Sequence, residues 1–142
     1  GRCELLLPTD VVVATEVKPH AEARMCALDD IGADEKILDA GEKTVHRLTE
    51  AMKKSRTLIW NGPLGVFEVP PFDQATIIVA QRAAELVKAG KLVAVAGGGD
   101  TVAALNHAGV ADDMSFVSTA GGAFLEWMEG KALPGVEALR HA

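Results

Sequence analysis

Three glycine-rich turns carry the residues of this sequence best suited to binding chemistry. We name them the proline turn (residues 61–65), the aspartate turn (residues 97–101) and the alanine turn (residues 119–122). Glycine lets a backbone approach a ligand closely, and a helix that starts just after such a turn presents free N–H groups to an anion. The three turns therefore predict that the chain binds phosphate groups.

The aspartate turn combines this backbone with a carboxylate. Its sequence is Gly97-Gly98-Gly99-Asp100-Thr101, and it follows an apolar run and opens a predicted helix. Asp100 alone would repel phosphate, so its place beside an anion site indicates a Mg²⁺ ligand, directly or through water. The Thr101 hydroxyl could donate to a phosphate oxygen. The alternative is a plain helix N-cap, because Asp is a good capping residue.

The other two turns repeat or extend this pattern. The alanine turn, Thr119-Ala120-Gly121-Gly122, also follows a predicted strand, and its alternative interpretation is close packing of a helix on that strand. After the proline turn, Glu68 could hold ribose hydroxyls, or it could be an exposed surface charge. Two helix N-termini at one sheet edge favour phosphate binding more than either does alone.

Other functional motifs are absent from the sequence. It contains no G-x-x-x-x-G-K-[ST], no G-x-G-x-x-G and no G-x-S-x-G. Cys3 and Cys26 lack C-x-x-C spacing, which argues against a zinc site or a disulfide framework. The histidines show no metal-ligand spacing, so we predict surface or helix-face positions for them; they are His20, His46, His107 and His141.

Composition limits the class of protein and of partner. The 142 residues, 49% of them hydrophobic, suit one folded domain. A net charge of −6 argues against a nucleic-acid partner, and no run approaches the roughly 20 apolar residues that cross a membrane. With no visible signal peptide, we expect a cytoplasmic protein. The chain does not begin with Met, so we expect a cut or processed piece of a longer chain.

Alternating strands and helices must position the three turns. We predict strands at residues 11–14, 58–60, 92–96 and 115–118. We predict helices over residues 41–55 and 73–89 with Asp73 as N-cap, then helices that start at the aspartate turn, the alanine turn and Pro134. The 92–96 strand should be buried on both faces, and residues 16–40 should be loop with short extended pieces. The result is an α/β fold, a three-layer Rossmann-like parallel sheet flanked by helices, with the turns at its carboxyl edge.

Five motifs occur in an order and spacing that match a known family. They are Trp60-Asn61-Gly62-Pro63, Gly65-Val66-Phe67-Glu68, the aspartate turn, Ser118-Thr119-Ala120-Gly121-Gly122-Ala123 and Leu133-Pro134-Gly135-Val136. Together they resemble the C-terminal portion of phosphoglycerate kinase, from about Leu7 to Leu139. The resemblance implies a two-domain glycolytic kinase that transfers a phosphoryl group between 1,3-bisphosphoglycerate and ADP, forming 3-phosphoglycerate and ATP.

The resemblance also implies a role for each candidate site residue. The nucleotide contacts would be Asn61, Pro63, Val66, Glu68, Gly97, Gly98, Gly99, Asp100 and Thr101. Among these, Asp100 would be linked to the cofactor Mg²⁺, Glu68 would take the ribose hydroxyls of ADP or ATP, and Val66 would lie near the adenine. Gly121 and Gly122 would be catalytic, because they open the helix that points at the transferred phosphoryl group.

By the same resemblance, residues 1–142 form a single, partial nucleotide-binding domain. The N-terminal domain that binds phosphoglycerate would be absent, together with the start of the nucleotide-binding domain. We therefore expect the chain alone to be inactive, its parent protein to be a monomer, and one edge of its sheet to lack a partner strand. One departure is Ala120, where the family has glycine. Alanine would carry about 1 kcal/mol of strain if that position required a positive φ.

Two other functions stay open. A module that senses a nucleotide without catalysis would carry the same turns. A dinucleotide-dependent oxidoreductase is the third possibility, and the missing G-x-G-x-x-G counts against it. Dependence of ligand binding on Mg²⁺ separates the kinase from the oxidoreductase.

Overall fold

The computed structural model describes residues 3–140, apart from the side chain of Arg140. Gly1, Arg2, His141 and Ala142 lie outside the described residues. The strands are β1 (Asp10–Ala14), β2 (Arg24–Ala27), β3 (Lys36–Ala40), β4 (Thr57–Asn61), β5 (Val93–Gly97) and β6 (Phe116–Ser118). The helices are α1 (Glu42–Lys54), α2 (Gln74–Lys88), α3 (Gly99–His107), α4 (Gly122–Met128) and α5 (Pro134–Arg140).

The second half of the chain forms the predicted parallel sheet. Its strand order is β4-β5-β6, and α2 and α3 make the two crossovers. The register pairs Asn61 with Gly97 and Gly97 with Ser118, so the three strands end side by side. The α/β fold with a parallel sheet flanked by helices is thus confirmed, and the carboxyl ends of its strands form one edge.

One face of this sheet is covered and the other is partly open. Ala94 and Ala96 face the main core with Trp60, where α2 and α3 pack against β5. On the opposite face, Val93 is 51% exposed and Phe116 is 58% exposed. The prediction that the 92–96 strand is buried on both faces is therefore wrong at Val93, because in the described residues α4 covers only the carboxyl end of that face.

A second sheet, which the sequence did not reveal, lies in the first half of the chain. It is antiparallel with strand order β2-β1-β3, and its two outer strands fall in the segment that we predicted as loop with short extended pieces. These strands have four and five residues, of which three and two are exposed. Strands this short and exposed give too few alternations for a periodicity signal.

Two buried aspartates cap the longest helices from neighbouring strands. Asp10 of β1 accepts the N–H groups of Lys43 and Thr44 at 2.9 and 2.7 Å, at the start of α1. Burial opposes ionisation of Asp10, but the Thr44 hydroxyl and these N–H groups hold its pKa below the usual value. Asp39 of β3 accepts the Ala75 N–H at 2.9 Å, at the start of α2.

The capping role that we predicted for Asp73 is therefore corrected. Asp73 occupies the N-cap position of α2, but its side chain makes no capping hydrogen bond. The donor of Ala75 is taken by Asp39, which the chain brings to α2 from another element. Among residues 3–140, no helix is long and apolar enough to cross a membrane.

Candidate functional site

The three glycine-rich turns meet at the carboxyl edge of the parallel sheet. Asn61, Gly97 and Ser118 end the three strands in register, and the Gly98 N–H donates to the Ser118 carbonyl at 3.1 Å. A Cβ placed on Gly98 would lie 3.8 Å from the Asn61 amide oxygen and 3.9 Å from the Gly121 Cα. The structure thus brings the three turns together at the carboxyl edge of the sheet, where the alternation of strands and helices placed them.

The aspartate turn has the backbone of an anion site. Gly98 has a φ of +104°, which only glycine adopts readily, and it is the N-cap of α3. The first helical hydrogen bond runs from Val102 N to Gly98 O at 3.0 Å, so the N–H groups of the three preceding residues have no acceptor within the helix. Asp100, in that first turn, is exposed.

Thr101 faces the interior instead of the open edge. It is 1% exposed, and its hydroxyl oxygen accepts the Gly62 N–H at 2.7 Å. The sequence suggested a hydroxyl that donates to a phosphate. The structure gives the side chain a connecting role, since it ties the proline turn to the first turn of α3.

The alanine turn has a similar backbone but a weaker connection to the core. Gly121 has a φ of +55° and is the N-cap of α4, a seven-residue helix with no buried residue. Among residues 3–140, His20 is the one non-glycine residue with a positive φ, so Ala120 does not carry the strain that we considered. The Ala120 N–H donates to the Ser118 hydroxyl at 3.2 Å.

Gly97 is explained by packing. A Cβ on Gly97 would lie 2.8 Å from Cδ1 of Phe124 in α4, which is closer than carbon atoms normally approach. Glycine at this position lets Phe124 lie directly on the end of β5. We gave close helix–strand packing as the alternative interpretation of the alanine turn, and the structure shows such packing at the first glycine of the aspartate turn.

A cavity of about 300 Å³, lined mostly by apolar residues, borders the proline turn. It is lined by Pro8, Val11, Ile37, Leu38, Asp39, Ala40, Pro63, Leu64, Gly65 and Val66. The predicted residues Pro63 and Val66 are therefore brought together, while Glu68 is exposed and does not line the cavity. Sequence reasoning missed Ile37 and Leu38, because they belong to a short strand of the sheet that it did not detect.

Asp39 holds the wall of this cavity in place. Burial raises its pKa to about 6, assisted by the nearby charge of Asp73, although the Ala75 and Ala40 N–H groups favour the charged form. A Cβ on Gly65 would overlap the Asp39 carboxylate, which explains glycine at that position. The Val66 N–H donates to the Leu38 carbonyl at 2.9 Å, so the loop after the proline turn is pinned to β3.

The side chains near the aspartate turn fit a metal ion that is coordinated mainly by a bound phosphate compound and by water. Within residues 3–140, no cluster of three or more His, Cys, Asp or Glu side chains could hold a metal. Mg²⁺ commonly binds through one or two carboxylates, with phosphate oxygens and water completing its octahedron. A single exposed carboxylate at Asp100, beside the free N–H groups of α3, is consistent with that arrangement.

A larger cavity lies away from these turns. This α1–α2 groove has a volume of about 650 Å³ and is lined mainly by the two helices, with Val45, His46 and Thr49 on one side and Ile78 and Arg82 on the other. None of the site residues predicted from the sequence lines it.

The fold and the site define the class as an α/β protein with glycine-rich turns at the carboxyl edge of a parallel sheet. A family model described as phosphoglycerate kinase matches residues 1–131. The chain therefore belongs to the phosphoglycerate kinase family.

Named relatives agree with this assignment. The chain is 69% identical over 137 residues to phosphoglycerate kinase from Caulobacter vibrioides (strain NA1000 / CB15N), covering 96% of the chain and 35% of the relative. It is 66% identical over 137 residues to the enzyme of that name from Zymomonas mobilis subsp. mobilis, covering 96% and 34%. The chain thus spans about a third of the length of these relatives.

Solved structures show the same fold. Phosphoglycerate kinase from Coxiella burnetii has a TM-score of 0.83 and 44% sequence identity, covering 92% of this chain and 33% of that one. The protein from Pyrococcus horikoshii OT3 has a TM-score of 0.76 and 29% identity, covering 94% and 32%.

Proposed function

We propose that this chain is the C-terminal, nucleotide-binding portion of a phosphoglycerate kinase. The parent enzyme would transfer a phosphoryl group between 1,3-bisphosphoglycerate and ADP, giving 3-phosphoglycerate and ATP, as a monomeric cytoplasmic enzyme of glycolysis. The observation that carries the proposal is the aspartate turn. Its free N–H groups and the exposed Asp100 lie at the same sheet edge as the proline turn, which borders the mostly apolar cavity.

The aspartate turn would bind the phosphates of Mg-ADP or Mg-ATP. Gly98 and Gly99 allow close approach, and the N–H groups of Gly99, Asp100 and Thr101 are directed by the helix start towards an anion. Asp100 would hold Mg²⁺, which neutralises charge on the phosphate oxygens. Thr101 would contribute through its backbone and by fixing Gly62, since its side chain is buried and its hydroxyl oxygen accepts the Gly62 N–H.

The proline turn and the residues after it would bind the nucleoside. Asn61 lies between the two halves of the site, and Pro63 and Val66 offer apolar surface for the adenine in the 300 Å³ cavity. Ile37 would add to this surface from β3. The exposed carboxylate of Glu68 would accept hydrogen bonds from the ribose hydroxyls.

The alanine turn would act on the transferred group. The N–H groups at Gly121 and Gly122 would stabilise charge on the migrating phosphoryl group. The acceptor or donor of that group, 3-phosphoglycerate or 1,3-bisphosphoglycerate, would be bound by a different part of the parent enzyme. Because transfer requires both substrates to be aligned, the chain alone would be inactive. A coupled assay on the purified chain checks this, and turnover near roughly 1–100 per second would contradict it.

Calorimetric titration with ADP, with and without Mg²⁺, tests the proposal as a whole. The chain should bind Mg-ADP more tightly than ADP, and Asp100→Asn should abolish the difference. Asp112→Asn is the matched control, because it removes the same charge from another exposed aspartate. Equal affinities with and without Mg²⁺ in the unmodified chain would contradict the metal role, and a dinucleotide that binds independently of Mg²⁺ would favour the oxidoreductase.

A further inference from the structure

The loop between β4 and α2, residues 62–73, is fastened to α3 at both of its ends. At its start, the Gly62 N–H donates to the Thr101 hydroxyl oxygen at 2.7 Å, in the first turn of α3. At its end, Asp73 Oδ2 lies 2.9 Å from Nε2 of His107, the last residue of α3. We name this segment the 62–73 loop.

His107 makes a second contact within the same loop. Its ring meets the ring of Phe67 edge to face, with centroids 6.1 Å apart and planes at 68°. Phe67 is 6% exposed, and the Asp73 side chain is also 6% exposed, so both partners are held in the interior. His107 thus contacts both the middle and the end of the loop.

The start of α2 does not depend on the pair between Asp73 and His107. The Ala75 N–H of that helix is satisfied by Asp39, and the Asp73 carboxylate turns instead to His107 and to the Gln74 amide, which donates at 2.9 Å. Burial opposes ionisation of Asp73, but the hydrogen bonds from His107 and Gln74 hold its pKa below the usual value. An ionised carboxylate only accepts hydrogen bonds, so Nε2 of His107 is the donor.

We propose that His107 is a positioning residue of the nucleotide site: by holding Phe67 and Asp73, it sets the 62–73 loop against the helix whose first turn carries Asp100. This inference rests on the proposed function. The loop carries Pro63, Val66 and Glu68, whereas α3 carries the phosphate turn. A nine-residue helix is a short rigid rod of about 14 Å, so fastening the loop at both ends fixes the spacing between nucleoside and phosphate contacts.

The consequence is a selective effect on ligands that span both parts. Removing the His107 side chain deletes the contacts of Phe67 and Asp73 with α3 and leaves the hydrogen bond between Gly62 and Thr101 in place. The loop keeps its hydrogen bonds to β3 and α2, so it should shift relative to α3 without unfolding. A ligand that is bound only by the first turn of α3 should keep its affinity. A ligand that also needs the loop should bind more weakly.

Calorimetric titration of His107 variants with two ligands tests this consequence. His107→Ala should weaken Mg-ADP binding about tenfold, a typical coupling between two parts of a site, and should leave Mg-pyrophosphate binding within about twofold. His107→Gln should restore most of the loss, because its amide can donate to Asp73. His46→Ala, an exposed histidine on α1, should change neither affinity. Equal weakening of both ligands, or unchanged Mg-ADP binding, would overturn the positioning role.

Hydrogen exchange tests the loop without any ligand. In His107→Ala, the N–H groups of Phe67, Val69 and Phe72, which bond within the loop, should exchange faster, while that of Val102 in α3 should not change. Unchanged exchange in the loop would overturn the positioning role by itself. If the loop of His107→Ala exchanges faster but the unmodified chain binds no Mg-ADP, the proposed function is overturned. The nucleotide role of His107 is then overturned with it.

Discussion

The aspartate turn and the alanine turn have similar sequences and occupy neighbouring strand ends, yet they differ in how firmly the fold holds them. Both place a glycine with positive φ at a helix N-cap. The helix after the aspartate turn buries Thr101, Ala104 and Leu105, each at 1% exposure or less. The helix after the alanine turn has no buried residue, although its Phe124 packs on Gly97.

This difference indicates that glycine makes a turn possible, whereas buried neighbours make it rigid. The aspartate turn is anchored through Thr101 to the proline turn and through Leu105 to the main core. It should therefore keep its shape without a ligand, as a preformed phosphate site does. The helix after the alanine turn packs on β5 mainly through Phe124 and buries no residue of its own, so this turn should be held less firmly.

The largest effect on stability should come from placing a Cβ on the N-cap glycines. Gly98→Ala forces alanine into a glycine-only conformation in a rigid setting and should cost about 2–3 kcal/mol of unfolding free energy. Gly121→Ala also meets a positive φ, but α4 buries no residue and can rearrange, so the cost should stay below about 1 kcal/mol. Urea unfolding measures both. Equal losses would mean that the two turns are equally rigid.

The next effect should come from the threonines. Thr101→Val removes the acceptor of the Gly62 N–H and should cost about 1–2 kcal/mol, because a partly buried donor loses its partner. Thr119→Val, at the exposed alanine turn, should change stability by no more than about 0.5 kcal/mol. Thermal or urea unfolding of both variants checks the contrast. A neutral Thr101→Val would show that the tie between the two turns contributes nothing to the fold.

Stability should hardly respond to substitution of the two glycines that begin the helices, whereas Mg-ADP binding should respond at Gly99. A Cβ on Gly99 or on Gly122 would meet no atom within 4 Å, so both alanine variants should stay within about 0.5 kcal/mol of the unmodified chain. Gly99→Ala should still weaken Mg-ADP binding, since its Cβ would stand in the open space through which the phosphates would approach the first turn of α3. Gly122→Ala should not, because ADP lacks the group proposed to lie there. If calorimetry finds that both variants bind Mg-ADP as the unmodified chain does, the phosphates do not approach the backbone of the aspartate turn closely.

The smallest effect concerns the ribose. Glu68→Gln should leave the fold intact and reduce the preference for ADP over its 2′,3′-dideoxyribose analogue. Glu126→Gln, an exposed residue of α4, is the matched control. If Glu68→Gln discriminates the two ligands as the unmodified chain does, Glu68 is a surface charge.

The sequence predicted the parallel sheet and its turns because their signals are local. Apolar runs followed by glycine mark where β4 and β5 end and where α3 begins, and the register then brings the turns together. The sequence could not predict that Asp39, and not Asp73, caps α2. The two residues are far apart in the chain, and only the fold brings them to the same helix end.

The roles of buried polar side chains were equally hidden. His107 was predicted only as a surface or helix-face residue, and its contacts to Asp73 and Phe67 depend on the path of the 62–73 loop. Thr101 was assigned a ligand role by its position after glycine, and only the folded chain shows its hydroxyl turned inward. The spacing of residues in the sequence indicates where the backbone is exposed. It does not indicate which side chains contact a loop that is distant in the sequence.

The most direct test of the central claim is to locate Mg-ADP on the chain by NMR. A ¹⁵N-labelled sample titrated with Mg-ADP should show its largest shift changes at residues 98–101 and at Val66, and replacing Mg²⁺ by Mn²⁺ should broaden signals most strongly around Asp100. Shift changes centred on the α1–α2 groove, or Mn²⁺ broadening far from Asp100, would contradict the assignment of the aspartate turn as the site of the magnesium–nucleotide.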